Sequence, residues 1–404
     1  MPGRNHVEDL RGASRLAVEA TRGVTDLVEA VHRKIASGPG LLKNPLEAPV
    51  RAISGLVYES VRRVTDLVGT GIDLALAHLS PLLGESMPGP EREAVLAALN
   101  GVLGDYLLET ANPLAIEMRF RRGGQALQLE RQVLRAAIPE AGGKLLVLVH
   151  GSSMSDLQWK RQGHDHGTAL ARDLGYVPIY LHYNSGLHIS TNGRALAGLL
   201  ETLLEQWPAP LEELAILGHS MGGLVSRSAC HAAAVAGQRW LSELRKLVCL
   251  ASPHHGAPFE RAGNLVDLAL GISGYSAPFA RLGKIRSAGI TDLRHGNVRD
   301  EDWQGRDRFE DGSDRRTPLP LPLGVQCFAA AASTAKVEGG KPRGDGLVPI
   351  DSALGRHAKP ELTLAFPPEH QWIGLGMNHV DLLSRPEMYD VLKRWLGSGA
   401  GPRR

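Results

Sequence analysis

The sequence predicts an α/β fold: a mostly parallel central sheet with helices on both faces, an N-terminal helical appendage and one long insertion. Three observations predict it. Apolar runs at Lys144–Val149, Leu214–Leu217 and Lys246–Ala251 alternate with helical patterns. A turn of small residues, Gly218-His219-Ser220-Met221-Gly222-Gly223, joins the second run to the helical pattern Leu224–Ala236. Residues 1–110 show no strand signal and repeat their apolar residues at helical spacing instead.

In the appendage, residues 1–110, Leu16, Ala20, Val24, Leu27, Val28, Val31 and Ile35 fall on one helical face, and Ser37-Gly38-Pro39-Gly40 ends the pattern. A second amphipathic helix is expected from Ala52 to His78. A third runs from Glu91 to Leu108, after Pro88-Gly89-Pro90. Such faces can pack on the main domain, join a partner chain, or lie on a membrane or granule surface.

The main domain is expected over residues 111–396. Ala115–Phe120 and Ala126–Leu129 flank Arg121-Arg122-Gly123-Gly124 as a hairpin. Strands follow at Lys144–Val149, Tyr176–Tyr183, Leu214–Leu217, Lys246–Ala251, Val325–Ala332 and Glu361–Phe366, with helices at Ala195–Trp207 and Pro386–Leu396. Residues 258–322 interrupt this rhythm. Their apolar first half, including Leu265–Phe279, and charged second half, Asn297–Arg316, read as a lid or a surface loop. Residues 397–404 read as an unstructured tail.

Composition excludes several classes. With 45 basic and 43 acidic residues among 404, the formal charge is +2, which argues against nucleic acid as the main partner. No run approaches the ~20 apolar residues that span a bilayer. Met1–Leu10 carries Glu8 and Asp9 and no apolar core, unlike a secretory leader. Cys230, Cys249 and Cys327 cannot all pair with one another; buried free thiols fit a reducing, cytoplasmic setting. No cofactor is implied.

The chemistry sits in three short segments. A serine hydroxyl is a weak nucleophile near neutral pH and needs a base to take its proton. Histidine suits that role, and a carboxylate behind it fixes the tautomer and stabilises the imidazolium. Ser220 lies at a strand-to-helix turn whose glycines admit a close approach of the two elements. Asp345, in Gly344-Asp345-Gly346-Leu347-Val348-Pro349, and His379, in Asn378-His379-Val380-Asp381, follow in that order.

Together with Leu148-Val149-His150-Gly151 and Ser252-Pro253-His254-His255-Gly256, these segments resemble the α/β-hydrolase superfamily. More narrowly, they resemble bacterial lipases and inositol-deacylase-like (PGAP1-like) esterases over about Ala115–Leu396. The resemblance implies Ser220 as nucleophile, Asp345 as orienting acid and His379 as base. It implies an oxyanion hole from the backbone N–H groups of Met221 and Ser152, with Ser153 as the fallback. The expected reaction is hydrolysis of a carboxylic ester, lipid-like or hydrophobic, through an acyl-enzyme. Acyl transfer to an alcohol, polyester depolymerisation and a non-catalytic scaffold are the alternatives.

Other residues carry competing readings. Asp351 is the alternative triad acid, or caps the turn at Ser352-Ala353. Asp381 matches a calcium ligand of some bacterial lipases, against a carboxylate beside His379 or a helix cap. His164-Asp165-His166 is read as a loop or helix start rather than a metal site, and His254-His255 as packing. Asn184–His188 is placed at a substrate entrance; Trp159, Trp303 and Trp372 are read as packing residues.

Overall fold

The computed structural model describes residues 90–257, 287–306, 314, 316–336 and 344–398. The helical patterns expected at 16–35 and 52–78, the apolar half of the insertion and residues 399–404 lie outside the described residues.

Eight strands form one sheet: β1 (Arg119–Arg122), β2 (Gln125–Ala126), β3 (Lys144–Val149), β4 (Val177–His182), β5 (Glu213–His219), β6 (Leu244–Leu250), β7 (Gln326–Ser333) and β8 (Gln371–Leu375). Their order is β2-β1-β4-β3-β5-β6-β7-β8. Strands β3 to β8 pair in parallel, while β1 runs antiparallel to both β2 and β4. The register sets Val149 beside Gly218 and His219 beside Leu250, so β3, β5 and β6 end level with one another. Their loops therefore open on one rim of the sheet, the usual place for a site in a parallel sheet.

The longer helices among the described residues are α1 (Pro90–Glu109), α2 (Arg131–Ala137), α3 (His166–Leu174), α4 (Ile189–Gln206), α5 (Met221–Ala236), α6 (Ala288–His295) and α7 (Pro386–Gly397). Alternate strand residues face opposite sides. Leu145, Val147, Ile216, Leu247 and Ala329 pack with Leu134 of α2 and the buried faces of α4 and α5. Leu146, Leu148, Leu217, Val248 and Phe328 pack with Leu170 of α3 and Met388, Leu392 and Trp395 of α7. Both faces of the sheet are covered, which accounts for continuous apolar strands rather than alternating ones.

Four expectations change. The Glu361–Phe366 stretch is not a strand. Leu362, Leu364 and Phe366 are buried and alternate with exposed Glu361, Thr363 and Ala365, as a strand would require. Yet Pro360–Leu362 forms a 3-10 turn, Leu364 N–H donates to Gly355 O, and Pro367-Pro368 supply no N–H groups to a ladder. The eighth strand is Gln371–Leu375. The hairpin turn is tighter than expected, with Arg121 opposite Ala126 and the two-residue connection Gly123-Gly124. Of the stretch read as a tail, Gly397 closes α7, and the Ser398 carbonyl accepts from Lys246 Nζ at 2.7 Å. Helix α4 starts six residues earlier than its apolar spacing signalled, at Ile189. No described helix is long and apolar enough to cross a membrane.

Candidate active site

Strand β5 ends at His219 and α5 begins at Met221, so Ser220 alone makes the turn between them. Its backbone takes φ 54°, ψ −120°, a conformation that costs a non-glycine residue about 1–3 kcal/mol. The turn is held by its own N–H, which donates to Leu250 O of β6 at 2.7 Å. A Cβ on Gly222 would fall 2.7 Å from His150 O and would overlap Val149 O. Only glycine lets α5 come this close to the end of β3.

That approach brings the loop after β3 onto the serine. A Cβ on Gly151 would lie 3.1 Å from Ser220 Cβ. The loop is tied in place by His150, whose Nδ1 pairs with Gly151 O at 2.8 Å and whose ring stacks on Tyr183 at 4.3 Å. Tyr183 in turn donates its hydroxyl to His150 O at 2.9 Å. Complete burial pushes the His150 pKa down to about 3, so the ring stays neutral. Ser152 follows directly, and Met221 opens α5, where first-turn N–H groups have no helical acceptor. Ser153 N–H is engaged: it donates to Ser185 Oγ at 2.9 Å.

Asp345 and His379, 34 residues apart, meet in loops that follow β7 and β8. His379 Nδ1 lies 2.7 Å from Asp345 Oδ2, and both side chains are buried. The other carboxylate oxygen accepts from Leu347 N–H at 2.9 Å and Val348 N–H at 2.8 Å. Burial raises the Asp345 pKa, but the facing His379 and these hydrogen bonds outweigh it, and the net shift is downward. An ionised carboxylate only accepts, so His379 Nδ1 is the donor of this hydrogen bond.

His219 joins this pair to the serine turn. Its Nε2 donates to His379 O at 3.2 Å, and the two rings lie 4.8 Å apart. Burial holds His219 neutral, with its pKa pushed down to about 3. The sequence shows His219 as the variable residue before the nucleophile; nothing in the motif marked it as the anchor of the His379 loop.

The competing residues fall elsewhere. Asp351 sits exposed on the short turn Ile350–Ala353 and pairs with Arg356 at 3.6 Å; the turn is capped by Pro349, not by Asp351. Asp381 accepts from Asn378 N–H at 2.9 Å and closes the turn that carries His379. Asp165 caps α3 by accepting from Thr168 N–H, so His164-Asp165-His166 is a helix start. His254 is buried against Arg227, Nδ1 to Nη1 at 3.3 Å. Trp159 is buried, and Trp303 stacks on His188 at 3.6 Å. Helix α6 and the turn after it belong to the insertion, and Asp292 holds them to α4 by accepting from Ile189 N–H at 2.8 Å.

A cleft of about 1190 Å³ opens between the β1–β2 turn and α3; it is lined by Lys160, Asp165 and Tyr180 and by none of Ser220, Asp345 and His379. Among the described residues, one group of three side chains has the composition of a metal site: Glu93, Asp156 and His182. Arg121 Nη1 already occupies it, 2.6 Å from Glu93 Oε2 and 3.3 Å from Asp156 Oδ1, so the group is an ion-pair network.

A parallel sheet in this strand order, a strained serine between strand and helix, and an acid–histidine pair from later loops form one recognisable pattern. The architecture is that of an α/β-hydrolase fold. Residues 140–315 match the PGAP1-like alpha/beta domain family, a span that includes Ser152 and Ser220 and ends before Asp345 and His379. No curated protein matches the sequence. Similar solved structures include the mature lipase BlEst2 of Bacillus licheniformis, at 17% identity and a TM-score of 0.40 over 63% of this chain and 92% of that one. A Listeria innocua gene product is 13% identical, with a TM-score of 0.38 over 64% and 96%. An esterase of Pyrococcus furiosus is 12% identical, with a TM-score of 0.38 over 65% and 84%.

Proposed function

We propose that the chain hydrolyses carboxylic esters through an acyl-enzyme on Ser220. The observation that carries this reading is the Asp345–His379 hydrogen bond, held by His219 beside the strained serine turn. With Nδ1 protonated and bonded to Asp345, His379 Nε2 accepts the Ser220 hydroxyl proton as Oγ attacks the ester carbonyl. The carbonyl oxygen gains negative charge and faces the N–H groups of Met221 and Ser152, at the N-terminus of α5. His379 then gives its proton to the departing alkoxide. Water enters, loses a proton to His379 and attacks the acyl carbon; the bond to Ser220 Oγ breaks, that oxygen takes the proton back from His379, and the acid leaves. Asp345 stays ionised throughout and stabilises the imidazolium.

The apolar character of Leu265–Phe279, in the insertion that follows the rim, supports an ester with a hydrophobic acyl group. The test is a fluorophosphonate probe with peptide mapping, run beside turnover of p-nitrophenyl esters of increasing chain length. Labelling at Ser220, with turnover abolished in Ser220→Ala and the thermal melt unchanged, supports the reading. Absence of label on a folded, full-length chain refutes it and favours a scaffold.

A further inference from the structure

Helix α1 lies outside the family match and outside the alternating strands and helices, yet it packs on the loop assigned above to the oxyanion. Its glycines make the contact. A Cβ on Gly101 would fall 2.8 Å from Ser153 Cβ and 2.9 Å from Ser153 Cα; one on Gly104 would fall 2.7 Å from Asn184 Cγ. Both glycine carbonyls are also bonded by side chains from the rim loops. Ser287 Oγ donates to Gly101 O at 2.7 Å, and Asn184 Nδ2 donates to Gly104 O at 2.9 Å. One turn C-terminal to Gly101, Asp105 Oδ2 accepts from Ala288 N–H at 2.9 Å. Near the start of the helix, Glu93 reaches Asp156 at the far end of the same loop through Arg121. His182, buried, has Nδ1 3.3 Å from Asp156 Oδ1 and completes that network.

The loop is thus pressed from two sides. Gly151 rests on Ser220, and Ser153 rests on Gly101. Ser153 itself is held at φ 57°, left-handed for a residue with a Cβ, and its N–H is fixed by Ser185 Oγ. Such strain persists only where the surroundings over-determine the backbone. A residue larger than glycine at 101 must displace the Ser153 side chain and Cα, and Ser152 N–H lies one peptide unit further back along the same loop.

We propose that α1 sets the position of the Ser152–Ser153 loop, with Gly101 as a positioning residue for oxyanion stabilisation; this rests on the ester-hydrolase reading. Binding the ester in its ground state draws little on that N–H, while the transition state draws on it fully. The variant Gly101→Ala therefore lowers kcat by about 10²-fold, the scale of one lost oxyanion donor, and leaves KM within about threefold. On a Ser153→Gly background, which removes the opposing Cβ and suits the positive φ, the same change costs less than about tenfold in kcat.

The experiment pairs this kinetic cycle with hydrogen exchange of the peptide covering residues 150–157 in the full-length chain. Exchange there is expected to rise by about tenfold or more in Gly101→Ala. Ser185→Ala, which removes only the acceptor of Ser153 N–H, serves as a milder second probe and is expected to raise exchange in the same peptide. Unchanged exchange in both variants overturns the proposal whether or not the chain is active. A kcat loss that persists undiminished on the Ser153→Gly background also overturns it. If wild type lacks Ser220-dependent turnover while exchange responds as expected, the ester-hydrolase reading fails and the placement of the loop by α1 stands.

Discussion

Replacing Asp345 with Asn is the sharpest test of the acid–base pair, because the surroundings dictate how the amide must sit. Two N–H groups, from Leu347 and Val348, point at Oδ1 at 2.9 and 2.8 Å. An asparagine that keeps its oxygen toward them must turn its NH₂ toward His379 Nδ1. That ring nitrogen then has to accept, which moves the ring proton to Nε2 and blocks proton uptake from Ser220. The opposite orientation aims an NH₂ at two buried donors and leaves all three without acceptors, at a cost of about 1–3 kcal/mol for each unsatisfied group. The wrong tautomer is therefore enforced. In serine proteases the corresponding exchange costs ~10⁴ in kcat, which corresponds to about 5 kcal/mol of barrier. The same fall is expected here for p-nitrophenyl ester turnover, with KM little changed and the fold intact. A loss below about tenfold for Asp345→Asn, with a large loss for Asp351→Asn, refutes the assignment.

A pH arm follows from the same carboxylate. Its folded-state pKa is depressed, so its contribution to stability is present above the ordinary aspartate value of about 3.9 and is lost as pH falls through the lowered one; the melting difference between wild type and Asp345→Asn should shrink in that acid window in a calorimetric pH series. Lys246→Met should destabilise the fold by about 3–5 kcal/mol in urea titrations, because Nζ is fully buried among Leu396 O, Ser398 O and Glu213 Oε1 at 2.9, 2.7 and 2.9 Å; much of the loss should return when Glu213 is replaced by Leu as well. The three cysteines are free and buried, with the Cys230 and Cys249 thiols pushed up to about 12 by desolvation; a thiol reagent should titrate none in the native chain and all three in denaturant.

The sheet was legible because both its faces are covered, so β3, β5, β6 and β7 are written as unbroken apolar runs. The serine turn was legible because its glycines answer a local steric demand, visible at Gly222. The last strand was misplaced for a physical reason. Leu362, Leu364 and Phe366 alternate like a strand since they plug one face of the core, but pairing depends on a neighbour's backbone that spacing alone does not encode. Asp345 and His379 were legible as an ordered pair in loops. The link from His379 O through His219 to the serine turn, and the use of Ser153 N–H by Ser185, depend on where the β4 and β8 loops return, and no local pattern records that.

Helix α1 sharpens the point. Its sequence shows a helix, but little amphipathic asymmetry, and Ala94, Ala98, Leu99, Val102, Leu103 and Leu107 around it are all buried. Residues 94–104 are buried without a break, so the middle of the helix has no solvent face. Its glycines fit it against Ser153 and Asn184, and its acidic residues Glu93 and Asp105 pair with Arg121 and Ala288 N–H. These contacts tie α1 to the loops around Ser153, Asn184 and Ala288. On the proposal that α1 positions the Ser152–Ser153 loop, shortening the chain from its N-terminus past Pro90 should cost turnover before it costs the sheet.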